Sequence, residues 1–191
     1  MSDIYTARDF KHLLGLPGFS DTLLTNHFTL YEGYVKNTNA LIGLLETKEL
    51  GTPEYAELKR RFGWEWNGMR LHELYFENMS KESKGLEAGA LKEKIEATYG
   101  SFDNWKKQFI GVGTMRGIGW VILYQDPVNG VLVNAWINEH DFGHLSGCTP
   151  LLVMDVFEHA YMTDYGIKKA DYLETFFRSI DWSIVEKRLT P

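Results

Sequence analysis

A single cysteine, Cys148, stands in this chain of 191 residues, which excludes an internal disulfide and suits a reducing compartment. Basic charge is also short: 20 Lys and Arg against 26 Asp and Glu leave a net charge of −6. Phosphate backbones are held by clustered Lys and Arg, so the balance argues against nucleic acid as the main partner. The first twenty residues include Asp3, Asp9 and Pro17 and lack a long apolar run. Neither a signal peptide nor a membrane span is expected, and the location that follows is cytoplasmic. Repeats, low-complexity tracts and an H-E-x-x-H motif are all missing. What the chain does have is aromatic mass: six Trp, ten Tyr and eleven Phe, enough for a substantial core.

The length allows one large domain or two small ones sharing an interface. Residues 1–19 read as a tail and a loop around Gly15, Pro17 and Gly18. Ser20 or Asp21 then offers an N-cap for a long helix, in which Leu23, Leu24, His27, Tyr31, Tyr34 and Leu41 recur at helical steps. Gly51-Thr52-Pro53 breaks that pattern, and a second helix fits Glu54 to about Met79. Two long helices joined by a short turn make a hairpin. The polar segment Met79 to Gly85 marks the boundary between an N-terminal helical domain, 1–82, and a C-terminal domain, 83–191. Helices are expected over Leu86–Tyr99 and Ser101–Met115, then strands over Trp120–Tyr124 and Val131–Trp136 with turn residues between them. Leu151–Met154 adds a third strand, and helices from Phe157 to Thr163 and from Lys168 onward close the chain. The expected class is α+β, a helical hairpin followed by a three-stranded antiparallel sheet surrounded by helices.

Chemistry enters at Met154-Asp155-Val156-Phe157-Glu158-His159, where an Asp and a His four residues apart follow the apolar run Leu151-Leu152-Val153. A core cannot hold an unpaired charge cheaply, and a metal ion is one partner that removes the cost. Asp oxygen with His nitrogen suits manganese, iron or zinc better than calcium or copper(I). Among the six histidines, His27 and His72 also sit in apolar, helix-periodic surroundings. A hairpin turning both inward, with Asp155 and His159 arriving from the other half, presents four protein ligands at a domain interface. His27 and Tyr34 are seven residues apart, within ~20° of two full turns, so they share a face. Spacing alone leaves open a redox metalloprotein or a Lewis-acid hydrolase.

Asp155-Val156-Phe157-Glu158-His159-Ala160-Tyr161 resembles the D-x-W-E-H-A-Y signature of the iron/manganese superoxide dismutases. Gly117-Ile118-Gly119-Trp120 is similar to the family's G-x-G-W segment, and Asp171-Tyr172-Leu173 through Asp181-Trp182 to its closing helix. The likeness runs from about residue 20 to 189. It implies His27, His72, Asp155 and His159 as ligands of one ion per chain, Tyr34 as the gateway tyrosine, and superoxide as substrate. Zinc does not change oxidation state, which leaves iron or manganese, with iron favoured. Several positions depart from the family pattern. The step from His27 to Tyr34 is seven where eight is usual, Tyr31 stands where a histidine is frequent, and Phe157 replaces Trp. Gly68 occupies the site where iron forms carry an outer glutamine; His140, fifteen residues before Asp155, resembles the histidine some members use instead. Tyr34 and His140 are the expected catalytic pair, and Lys169, Lys36 or Arg70 the expected local cations. Glu158 resembles the residue that bridges to a partner's histidine ligand, implying a homodimer through Glu158 and His159 or a tetramer. The alternatives are a non-catalytic metal-binding relative and a Lewis-acid metal hydrolase.

Overall fold

Two capped helices set the frame. In the computed structural model, which describes residues 4–190, α1 spans Asp21–Thr47 and α2 spans Pro53–Glu77. Ser20 caps α1 by accepting from the Leu23 amide, and Thr52 caps α2 by accepting from Tyr55, with Pro53 in its first turn. Their buried faces are densest near the ends that meet the rest of the chain; Leu44 and Leu50 at the hairpin tip stay exposed. Residues 1–3 and 191, at the outer ends of the two expected domains, lie outside the described residues.

The segment before α1 is more than a tail. Phe10, Leu13, Leu16 and Phe19 are buried, and Lys11–Leu13 forms a 3₁₀ turn. Asn39 clamps the strap by accepting from the Ile4 and Tyr5 amides and donating to the Tyr5 carbonyl. The expectation of a loop missed this because its apolar residues lack helical or strand periodicity.

Beyond α2 come α3 (Ala90–Tyr99), α4 (Phe102–Gly113), β1 (Gly119–Gln125), β2 (Leu132–Asn138) and β3 (Thr149–Asp155). The three strands form one antiparallel sheet in the order β2-β1-β3, so the fully buried β1 lies in the middle. α3 begins later than expected, since Gly89 precedes it and Leu91 donates its amide to Glu186. After β3, the expected helix is a 3₁₀ turn, Glu158–Ala160, followed by the short α5 (Met162–Tyr165). The Asp155 carboxylate takes the Phe157 amide there, which holds the chain out of a regular helix. The closing segment divides into α6 (Lys169–Ser179) and α7 (Trp182–Lys187). Ile180 pairs with Met79 and Asp181 donates its amide to the Asn78 carbonyl, so the chain must leave helical geometry between them.

Helical hairpin and sheet are stitched together by buried polar groups. Asn78 donates to the Val153 carbonyl on β3. Arg188 donates to Asn78, to the Leu151 and Leu74 carbonyls and to Glu77. This brings the end of β3 against the C-terminal part of α2 and the N-terminal part of α1.

Candidate metal centre

Asp155 is the last residue of β3, paired in register with Trp120 on β1. Its carboxylate is divided between two tasks. Oδ1 accepts the Phe157 amide at 2.8 Å, which fixes the group's rotation. Oδ2 is thereby aimed at three imidazoles: Nε2 of His159 at 3.1 Å, of His27 at 3.2 Å and of His72 at 3.6 Å. One ligand atom from each of the four residues lies within 4.8 Å of the others. His27 comes from α1, His72 from α2, and His159 from the turn after β3.

The donor set fits a transition metal. His72 donates Nδ1–H to the Gly68 carbonyl at 2.6 Å, so its lone pair sits on Nε2, and that buried atom has no protein partner. Burial is the largest influence on His27 and His72 and lowers both pKa values, so they are neutral and able to coordinate near pH 7. For Asp155 burial pushes the pKa up, but charge and hydrogen bonding from His159 and His27 outweigh it and hold the carboxyl well below its usual range. Three imidazoles around an ionised carboxylate match iron, manganese or zinc.

Beside this cluster lies a second arrangement. The Tyr34 ring stacks on His72 at 5.1 Å between centroids, and its hydroxyl is 2.8 Å from Nε2 of His140. α1 runs without interruption, so the seven-residue step from His27 needs no bulge to deliver Tyr34 to the same face. His140 is fully buried although it sits on a connection between strands. Glu139 adopts a positive φ of 53°, and Asn138 and Phe142 bond reciprocally, turning the chain so that His140 points inward. His144 donates Nε2–H to the His140 carbonyl and accepts from the Tyr124 hydroxyl at Nδ1, anchoring the loop to β1.

Trp120 donates its indole N–H to Nδ1 of His140 at 3.0 Å, a role that spacing did not reveal. The sequence marked Trp120 only through the G-x-G-W resemblance, and the structure sets it in register with Asp155. Phe157 stacks between His140 at 4.6 Å and His159 at 5.1 Å, so the smaller ring still walls the site. Tyr31 is turned to structure: its hydroxyl accepts the Arg8 amide and donates to Glu73, which secures the N-terminal strap. Of the expected cations, Lys169 donates to the Met115 carbonyl and lies over Trp136, while Arg70 pairs with Glu73. Glu158 is exposed beside His159. No helix among the described residues is long and apolar enough to cross a membrane.

The chain is similar to known proteins over most of its length. The family described as iron/manganese superoxide dismutases, C-terminal domain, matches residues 87–188. An iron superoxide dismutase of Cupriavidus metallidurans is 38% identical over 173 residues, covering 87% of this chain and 86% of the relative. A manganese superoxide dismutase of Haloferax volcanii is 37% identical over 169 residues, with 87% and 84% covered. For an iron superoxide dismutase of Aquifex pyrophilus the identity is 35% over 182 residues, with 91% and 85% covered. A family match across more than half the sequence, and relatives aligned over most of their length, establish that this chain belongs to the iron/manganese superoxide dismutases.

Proposed function

We propose that the chain converts two superoxide anions and two protons to dioxygen and hydrogen peroxide, using one ion held by His27, His72, Asp155 and His159. The convergence of three imidazole nitrogens and Asp155 Oδ2 in a buried pocket carries the reading. Iron or manganese bound there would supply one-electron redox cycling, which zinc lacks.

Tyr34 and His140 would handle the protons. An indole N–H only donates, so Nδ1 of His140 must accept from Trp120, and the neutral imidazole carries its proton on Nε2. That N–H donates to the Tyr34 oxygen, leaving the Tyr34 hydroxyl hydrogen free to face an incoming anion. Burial lowers the His140 pKa to about 4 and raises that of Tyr34, so both stay neutral near pH 7. A neutral donor pair can orient superoxide and pass on protons drawn from solvent without adding a repelling phenolate.

Between the two metals our reading is iron, on the strength of His140, which resembles the histidine that iron and metal-tolerant members carry in that loop. We also read the chain as a cytoplasmic homodimer in which Glu158 of one copy meets His159 of the other, with the domain boundary between residues 82 and 83. His159 keeps 28% of its side chain exposed next to Glu158, which leaves an imidazole edge within reach of a second copy. Sedimentation at micromolar concentration tests the assembly, and a monomer there would reject the bridge. The activity is tested by reconstituting one metal-free preparation separately with iron and with manganese. Superoxide decay catalysed by either supports the proposal; silence with both at full occupancy refutes it.

A further inference from the structure

A chain with net charge −6 repels a small anion at long range, so attraction must come from a cation near the site. Arg70 lies over Tyr5 and Trp66, rings that do not meet His140, Lys169 is tied to Met115 and Trp136, and Lys36 is exposed on α1 without an ion pair among the described residues. Arg61 is placed differently. Arg61, Glu65, Gly68 and His72 follow one another along α2 at steps of four, three and four, which puts them on one face. The guanidinium carbon of Arg61 lies 5.0 Å from the centre of the Trp64 ring, and that ring meets His140 edge-on at 4.8 Å.

The ion pair that holds Arg61 does not hide it. Glu65 accepts from Nε at 2.7 Å and from Nη2 at 2.5 Å, and takes a further bond from Asn37 at 3.1 Å. The Glu65 side chain is 3% exposed and that of Arg61 is 55% exposed, so the carboxylate lies beneath and the cation faces water. Nη1 has no protein partner among the described residues, leaving donors directed at solvent.

We infer that Arg61, propped on Trp64 by Glu65, is the local cation that guides superoxide toward Tyr34 and His140, a positioning residue that need not touch the reacting atoms. The inference rests on the dismutase reading for its substrate, but the placement of the charge can be tested without turnover. Arg61→Gln should lower kcat/KM by roughly two- to fivefold at low ionic strength and flatten its decline with added salt. Metal content should not change, and Arg61→Lys should keep most of the salt dependence. In the metal-free protein, iodide quenching of Trp64 fluorescence, assigned by difference against Trp64→Phe, should weaken in Arg61→Gln relative to quenching by neutral acrylamide. An unchanged salt slope, an unchanged iodide-to-acrylamide ratio, or equal losses in the Gln and Lys variants would overturn the inference; the last would mean that Arg61 acts only through its pairing with Glu65. A wild-type protein inactive with both metals would sink the dismutase reading while leaving the quenching comparison to decide the charge.

Discussion

Gly68 lies against the face of Tyr34, and alanine there should drive that ring out of the site. A Cβ at position 68 would sit 2.5, 2.7 and 2.9 Å from three carbons of the Tyr34 ring. Carbon atoms rest about 3.5–4.0 Å apart, so the ring must retreat from α2 by roughly 1 Å. Retreat disturbs both its stacking on His72 and its 2.8 Å bond to His140. Overpacking of this kind costs about 1–3 kcal/mol. Replacing glycine by alanine inside a helix is favourable by about 1 kcal/mol. The single variant should therefore lose about 0–2 kcal/mol in urea unfolding of the metal-free protein. With Tyr34→Ala the obstacle is gone, and the same Gly68→Ala change should stabilise by about 1 kcal/mol, a coupling of about 1–3 kcal/mol across the double-mutant cycle. Dismutation, followed as stopped-flow superoxide decay, should drop by roughly tenfold or more in Gly68→Ala because the proton donor is displaced. Metal content should hold, since the Gly68 carbonyl still orients His72. A coupling energy near zero, or an undiminished rate, would refute the argument that this glycine keeps Tyr34 in place.

His140→Ala should cut the dismutation rate far more than metal content, because His140 is bonded to Tyr34 and Trp120 and not to the Asp155 oxygen; equal loss of both would reject its proposed role. In the metal-free protein His140 protonates at about 4 when folded, against the ordinary 6.5 when unfolded. The unfolded state then holds more protons between those values, so stability is intact above about 6.5 and falls as pH drops toward 4, by roughly 3 kcal/mol from this group. Urea midpoints from pH 7 to 4.5 should show that slope, and His140→Gln should reduce it; an identical slope in the variant would count against the assignment. Tyr31→Phe removes a hydroxyl shared by Arg8 and Glu73 and should cost about 1–2 kcal/mol with little change in rate. A large loss of rate at unchanged stability would show that Tyr31 belongs to the proton path after all.

Much of the fold could be read directly because its signals are local. The cap at Ser20, the Gly51-Thr52-Pro53 break and the turn residues Asp126 to Gly130 act over a few residues, and the structure has helix ends and a hairpin at those points. The N-terminal strap and the division of the closing helix were not legible. Each depends on a partner far along the chain: Asn39 for Tyr5, Tyr31 for Arg8, and Asn78 and Met79 for Asp181 and Ile180.

The candidate site divides in the same way. Which side chains could carry the chemistry was marked by spacing together with the family resemblance: an Asp ending an apolar run, a His four residues on, and two further histidines and a tyrosine on helical faces. Those constraints live within single elements, where periodicity fixes the direction in which a side chain leaves the backbone. How the groups face one another was decided by tertiary structure alone. Only packing the end of β3 against α1 and α2 aims Oδ2 of Asp155 at three imidazoles, and only the turn at Glu139 buries His140 between Trp120 and Tyr34. Arg61 likewise gains its meaning from Trp64 and His140, one of which lies on another element, and no one-dimensional pattern contains that distance.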